Sequence, residues 1–302
     1  MSGSPTSRCL VIVNPAAGGG RTARQWPDLR DELTRRGLAF DWAPTSARGD
    51  ATTLARASVA AGVSLVVAVG GDGTLNEVVN GVLAHPGAPV SVGTILTGRG
   101  RDAARNFGLA RDPRVAARRL VDGADVAVDL VRAEWPTGAP RWIVGAAGAG
   151  FDAMVAARAA ARGGRGTLPY VAAVLATLAE HVPVAAEIEV DDTPAWTGPL
   201  TAAVIANGAY FGGGMRIAPG ADPRDGRLDL VVLGDLGRLE LLRWLPSVYR
   251  GGHLRNRKVL ACTGRRVTIR AERPLPMHVD GEPAPGTPVT LTIVPAALRL
   301  RC

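Results

Sequence analysis

The sequence predicts an α/β domain followed by an all-β domain, and three observations predict it. Through about residue 126, short apolar runs alternate with helical stretches, which is how a parallel sheet with crossover helices reads. From about residue 127 the texture changes to short alternating segments bounded by turn residues, the pattern of an antiparallel sandwich. Between these lies the stretch that organises the rest: the buried-looking run 65–69 breaks into Gly70-Gly71-Asp72-Gly73-Thr74 and restarts at once as a helix. The boundaries follow as 1–126 for the α/β domain, to which the tail 296–302 could return, and 127–295 for the sandwich.

In the first part, residues 9–13 form a strand that ends in Asn14-Pro15-Ala16-Ala17-Gly18-Gly19-Gly20-Arg21 and leads to a helix over about 23–36. A second strand at 40–42 passes through Pro44-Thr45-Ser46 to a helix over 51–61, and the strand at 65 follows. Its continuous apolar run reads as a central parallel strand covered on both faces. Thr74 can cap a helix beginning near Leu75, whose open N–H groups favour an anion such as a phosphate. The fourth strand, 92–96, ends in Thr97-Gly98-Arg99-Gly100-Arg101-Asp102 and another helix start. Three glycine-bearing loops thus follow strands of one sheet, at the carboxyl ends where open α/β sheets bind ligands. Each loop alone also reads as an ordinary tight turn, with Asp72 as a local cap.

In the second part, strands are expected over 127–133, 142–147, 185–190, 201–205, 228–233, 266–271 and 289–293, with one helical insertion over 168–181. That helix places Val171, Val174, Leu175, Leu178 and Val182 on one face, a stripe that packs on a core or lines a groove for an apolar substrate.

Composition narrows the chemistry. The 302 residues are 47% hydrophobic, enough for two packed cores. The net charge of +8 comes almost wholly from arginine, Lys258 being the single lysine. It lies in neither a Gly-Lys-Ser/Thr loop nor a kinase strand motif, which excludes a P-loop NTPase and a protein kinase. Basicity points to an anionic partner, or to a genomic arginine bias. Nucleic acid is set aside for want of any recognition motif or interleaved aromatics. Cys9, Cys262 and Cys302 are few, dispersed and odd in number, which implies no disulfide framework and suits a reducing compartment. With no signal peptide and no 20-residue apolar run, a cytoplasmic protein is expected, peripheral at the inner membrane face if it meets a membrane.

Taken together, Asn14-Pro15 with Gly18-Gly19-Gly20, Gly70 through Glu77, Asn207-Gly208 with Gly212-Gly213-Gly214, Pro219 through Asp229 and Asp280-Gly281-Glu282 resemble the diacylglycerol kinase catalytic family in the right order along nearly the whole chain. The resemblance implies an α/β domain and a β-sandwich with the active site in the cleft between them, and transfer of the ATP γ-phosphoryl group to a lipid hydroxyl. It maps Asn14, Thr45, Gly71, Asp72, Gly73, Thr74, Leu75, Asn76, Glu77 and the loop at Arg99 onto ATP-contacting positions. It maps Asp222, Asp225 and the Arg227 carbonyl onto a Mg²⁺ site, and hard oxygen donors in a turn suit that ion. Glu282, with Asp280 beside it, maps onto the position that takes the lipid hydroxyl proton, and Asp72 onto the catalytic carboxylate of the glycine turn. Without the resemblance, 222–229 and 280–282 read as Asp-Gly turns.

The third loop departs from the family. Where the family reads Pro-Leu-Gly-Thr-Gly-Asn-Asp-Phe-Ala-Arg, this chain has residues 96–105 with Arg99 for the hydroxyl, Arg101 for the amide and Ala103 for the aromatic. Two other functions compete with lipid phosphorylation: an NAD kinase, which shares Gly70 to Thr74, and a non-catalytic nucleotide-binding regulator, motivated by the altered loop. The acceptor stays open, as does a homodimer.

Overall fold

The computed structural model describes residues 8–161 and 167–302. The chain divides into two compact units, Met1–Asp129 with Ala296–Cys302, and Leu130–Pro295.

The first unit runs β1 (Cys9–Val13), α1 (Ala17–Arg35), β2 (Asp41–Pro44), α2 (Asp50–Ala60), β3 (Leu65–Gly70), α3 (Asp72–Val82), β4 (Ser91–Leu96), α4 (Asp102–Phe107), α5 (Pro113–Asp122) and the start of β5 (Asp125–Glu134). Its strands are parallel in the order β2-β1-β3-β4, with Val11 opposite Val67 and Val67 opposite Gly93. Arg299–Arg301 of the last strand, β16 (Val289–Arg301), add a further parallel strand beside Ser91–Gly93. Every residue of β3 and β4 is buried, as a strand covered on both faces must be. One face carries Val11, Val13, Val67, Val69 and Ile95 against Trp26, Leu29 and Leu33 of α1 and Ala116, Ala117 and Leu120 of α5.

The first helix stands as expected, and two other expectations shift. In α1, Gly18, Gly19 and Gly20 have φ of 63°, 75° and 81°, so regular helix begins only after the glycine loop. The second strand runs two residues past Trp42, to Pro44. Helix α3 starts at Asp72, which places Thr74 inside its first turn and buried, not at the cap. Helix α5, absent from the sequence reading, had legible signals: Asp112 caps it by accepting from the Arg114 and Val115 N–H groups, with Pro113 at the first position.

The second unit is a sandwich. One sheet has the order β12-β11-β10-β7-β14-β15, all antiparallel, from Val259–Gly264, Leu228–Leu233, Ala202–Ala206, Ala146–Gly150, Met277–Val279 and Glu282–Ala284. The other joins the first part of β16 to β13 (Arg266–Ala271), β8 (Val184–Val190) and β9 (Thr193–Leu200). A short strand, β6 (Arg141–Ile143), pairs with Val131–Ala133 of β5. Alternate residues of the two sheets, among them Ile143, Ile188, Leu200, Ile205, Leu228, Leu230, Val267, Ile269 and Leu291, form the core between them. Strand β9 carries Pro194 and Pro199, which made it unreadable as a strand. It lies at the sheet edge, where missing N–H donors cost little.

Helices lie against the outer face of the six-stranded sheet. There are more than the single insertion expected: α6 (Phe151–Ala161), α7 (Thr167–Glu180) and α8 (Arg238–Trp244), which continues as 3-10 turns over Leu245–Arg250 and Gly252–Arg255. Phe151, Val155, Val174, Leu178, Leu236 and Leu241 pack together. The expected stripe on α7 is therefore divided. Val174 and Leu178 are buried, whereas Leu175 and Val182 are 49% and 60% exposed; the Val171 side chain lies outside the described residues.

Candidate active site

The three glycine loops of the first unit are tied to one another. The Asn14 N–H donates to the Val69 carbonyl (2.9 Å), and the Asn14 amide donates to the buried Thr74 hydroxyl (3.0 Å). Thr22 and Thr97 share a hydroxyl hydrogen bond of 2.5 Å. The N–H groups of Thr97 and Gly98 donate to the Gly70 carbonyl (2.8 and 3.1 Å), and the Ala103 N–H donates to Asp72 Oδ1 (3.0 Å). Two approaches tolerate no side chain. A Cβ on Gly98 would lie 2.7 Å from the Gly71 Cα, and one on Gly18 would lie 2.8 Å from the Thr97 carbonyl oxygen.

Beside this cluster the second strand and α2 supply a fourth loop. The Thr45 N–H donates to the Val13 carbonyl (2.8 Å). Asp50 accepts from the Ser46 N–H (2.8 Å) and hydroxyl (2.6 Å) and the Ala47 N–H (2.9 Å), which together hold its carboxyl below the usual range. Glu77 braces the same helix by accepting from the Ala51 N–H (3.2 Å), while Leu75 and Asn76 are buried. The expected nucleotide residues Asn14, Thr45, Gly71, Asp72, Gly73 and Thr74 therefore occupy one linked set of loops and the first turn of α3. Leu75, Asn76 and Glu77 support it from within.

The altered third loop makes a cationic recess. Arg21, Gly98, Arg99, Gly100, Arg101, Arg105 and Arg111 line a cavity of about 290 Å³. Two of its arginines are used to hold the loop: Arg101 donates to the Gly98 (3.1 Å) and Arg111 (3.0 Å) carbonyls, and Arg105 donates to the Gly100 carbonyl (2.5 Å) and Asp102 (2.7 Å). Arg101 does so at φ 53°, a left-handed position that suits the family's amide residue better than an arginine. The guanidinium groups of Arg21, Arg99 and Arg111 have no hydrogen-bond or ion-pair partner among the described residues, so their charge is available to an anion.

The second unit places its carboxylates on turns. Asp222 and Asp225 are exposed, Asp225 accepting from the Arg227 N–H (2.9 Å) around Gly226, while the Arg227 guanidinium is turned onto Thr263 (2.6 Å). Burial, then the charge of Asp225, pushes Asp229 up to about 6 against the relief given by Arg227. Among the described residues no three His, Cys, Asp or Glu side chains are grouped closely enough to hold a metal by themselves.

Asp280 and Glu282 are adjacent in sequence but differ in situation. The Asp280 carboxylate accepts three backbone N–H groups, from Val144 (2.8 Å), Gly145 (2.8 Å) and Ala146 (3.0 Å), at φ 47°. Burial raises its pKa and these donors oppose the rise. Glu282 is partly exposed, 3.8 Å from Arg141. Behind them lies a constellation that sequence reasoning missed. His278, 1% exposed, places Nε2 at 3.1 Å from Asp152 Oδ2, stacks on Phe211 at 4.8 Å and receives the Gly281 N–H on Nδ1 (3.3 Å). That acceptor role puts the ring proton on Nε2, facing Asp152. The parts stand 126 residues apart and no local pattern announces them.

A parallel α/β unit with linked glycine loops, followed by a β-sandwich that offers carboxylates on turns, is the two-unit architecture of a family of kinases. Residues 8–133 match the diacylglycerol kinase catalytic domain and residues 145–302 match the YegS C-terminal NAD kinase beta sandwich-like domain, and the chain belongs to this diacylglycerol kinase family of lipid kinases. It is 34% identical over 296 residues to a diacylglycerol kinase of Mycobacterium tuberculosis, covering 97% of this chain and 94% of the relative. It is 30% identical over 306 residues to a “Probable lipid kinase YegS-like” protein of Stenotrophomonas maltophilia, covering 98% and 96%. The crystal structure of a diacylglycerol kinase from Bacillus anthracis has the same fold, with a TM-score of 0.74 at 20% identity over 97% of this chain and 96% of that one.

Proposed function

We propose that this chain transfers the γ-phosphoryl group of ATP, with Mg²⁺, to the hydroxyl of a diacylglycerol-like or sphingoid-like lipid. The observation that carries the reading is the linked set of glycine loops beside a recess with three unpartnered arginines, in a chain whose single lysine is paired with Glu240 at 2.7 Å. The loops at 14–21 and 97–102 and the start of α3 at 71–77 bring backbone N–H groups to the phosphates, with Asp72 beside them to orient the metal, and Arg21, Arg99 and Arg111 supply the cations. Catalysis of this class rests on positioning and charge neutralisation more than on covalent chemistry.

Asp222, Asp225 and the Arg227 carbonyl would hold the Mg²⁺, whose role is to neutralise phosphate charge. They fit it as hard oxygen donors: Asp222 and Asp225 are exposed carboxylates on one short turn. Two side chains and a carbonyl suffice because Mg²⁺ keeps several waters. Glu282 is the group to accept the hydroxyl proton; Asp280, engaged by three N–H donors, fixes the turn that presents it. The chain works in the cytoplasm, at the membrane face where its acceptor lies.

ADP release, measured with ATP and diacylglycerol, sphingoid, ceramide or phosphatidylglycerol acceptors in micelles, tests the reading. One acceptor should stimulate release, and Asp225→Ala should lose both activity and its dependence on Mg²⁺. Turnover on NAD in place of lipid would establish the NAD kinase reading, and ATP binding with no acceptor-dependent turnover would establish the regulator.

A further inference from the structure

The second unit leaves its large apolar residues exposed in one neighbourhood. Seven large hydrophobic side chains are exposed among the described residues: Trp42, Val115, Leu175, Val182, Leu239, Leu242 and Tyr249. Five of these belong to α7 with its C-terminal extension and to the α8 segment, two elements that share one buried cluster through Val174, Leu178 and Leu241. Scattered apolar exposure is ordinary, but concentration is not.

Residues 238–250 form nearly continuous helix, first α and then 3-10. Leu241 and Val248 face inward, while Leu239, Leu242, Pro246 and Tyr249 are exposed, with Leu239 at 83%. The spacing of 239, 242, 246 and 249 puts them on one side of a helix. Arg238, Arg243 and Arg250 are exposed on the same segment, and none has a hydrogen-bond or ion-pair partner among the described residues. Two nearby acids are already engaged, Glu240 with Lys258 (2.7 Å) and the Asn256 amide (3.0 Å) and Glu180 with Arg158, which leaves Asp235 as the exposed acid beside three arginines. Apolar side chains pointing outward between unpaired arginines are the composition of a helix that lies in a membrane interface. The cations select an anionic surface.

We propose that residues 238–250 are the membrane contact of this protein, seating Leu239, Leu242, Pro246 and Tyr249 among the acyl chains of an anionic bilayer while Arg238, Arg243 and Arg250 engage its headgroup phosphates. This deepens the lipid kinase reading by naming the surface, and it differs from the expected stripe on α7, whose inward residues are committed to the core. No described helix is long and apolar enough to cross the membrane, so the contact is peripheral.

Co-sedimentation of the full chain, without ATP, tests the proposal apart from the kinase reading. Vesicles of mixed phosphatidylglycerol and phosphatidylcholine should retain the protein, and L239S/L242S should lower the partition by about tenfold or more while the thermal transition stays unchanged. Arg238→Ser with Arg243→Ser should remove the preference for phosphatidylglycerol over phosphatidylcholine alone. ADP release from a dispersed short-chain acceptor should survive these changes even where release from vesicles falls. Undiminished vesicle binding by L239S/L242S overturns the proposal. So does loss of binding only in L175S/V182S, which would move the contact to α7. A dimer that L239S/L242S converts to monomer, with vesicles ignored by both, would assign the face to a second copy and overturn it equally.

Discussion

Asp72 in the first unit and Asp225 in the second are both carboxylates in glycine-bearing turns, yet the chain treats them differently. Asp72 is braced from 31 residues away by the Ala103 N–H, in a loop set where Gly71 meets Gly98 and Asn14 meets Thr74. Asp225 accepts from the N–H two residues ahead, and Asp229, pushed up to about 6 chiefly by burial, also senses the Asp225 charge. The first region is built to a fixed geometry by contacts between loops. The second is a local turn held by one short-range hydrogen bond, its carboxylate charge only partly offset by Arg227. Preorganised donors cost nothing to rearrange when charge arrives, whereas a partly offset acidic turn gains when a cation binds.

The largest expected effect breaks the first side of that contrast. Asp72→Asn keeps an oxygen for the Ala103 N–H and so should leave the thermal transition in place, while activity falls by about 10²–10³ or more, because the charge that would organise the metal beside the phosphates is lost. Turnover close to that of the parent would show that the carboxylate serves only the loop. Next comes Arg99→Ala, expected to weaken ATP binding by about 1.5–3 kcal/mol, the range for a hydrogen bond to a charged group. Arg101→Ala should weaken ATP binding less, because its guanidinium is spent on two carbonyls; calorimetric titration of ATP against both variants decides the order. Gly98→Ala should cost about 1–3 kcal/mol in chemical denaturation, the usual range for forcing a methyl into a packed contact, since its Cβ would lie 2.7 Å from the Gly71 Cα. A neutral result there would mean that the loops separate readily.

The same contrast explains what was legible in the sequence. The glycine turns, the strands expected at 65–69 and 92–96 and the Asp-Gly turns at 225 and 280 are local patterns, and they stand within one residue of where the sequence placed them. Thr74 was misread as a cap because a capping residue and a first-turn residue differ only in where the helix begins, and the Asn14 amide that uses its hydroxyl is 60 residues away. The pairing of Asp152 with His278 and the division of labour between Asp280 and Glu282 depend on which backbone N–H groups come near, which no spacing encodes. Nor could the stripe on α7 be divided into buried and exposed halves before α8 was known to pack beside it. Arg99 and Arg101 look interchangeable in sequence. Only the carbonyls of Gly98 and Arg111 separate the arginine that holds the loop from the one left for a ligand.

The smallest effect sharpens the second side of the contrast and reads its sign directly. The carboxyl of Asp229 has its pKa raised from the ordinary 3.8 to about 6, chiefly by burial and further by Asp225. A raised folded value means that the native state binds this proton more tightly than the unfolded chain does, so the ionised group costs stability above about 6 and the cost disappears as pH falls below the unfolded value. Asp125 behaves in the opposite sense: its hydrogen bond with Arg301 lowers its pKa, and its contribution is lost only as pH falls through the lowered value. Between pH of about 7 and about 5, then, protonation of Asp229 should add stability while Asp125 stays ionised and contributes no change. Asp229 is only about half enclosed, so solvent screening reduces the gain to about 1 kcal/mol. Asp229→Asn should flatten the profile in that window. Asp225→Asn should lower the Asp229 carboxyl value, followed by carbon NMR, only part of the way to 3.8, because burial is the larger cause and remains. Full return to 3.8 would make the neighbouring charge the whole cause. No movement at all would mean that the two carboxylates do not sense each other, and the turn would lose its claim to a cation.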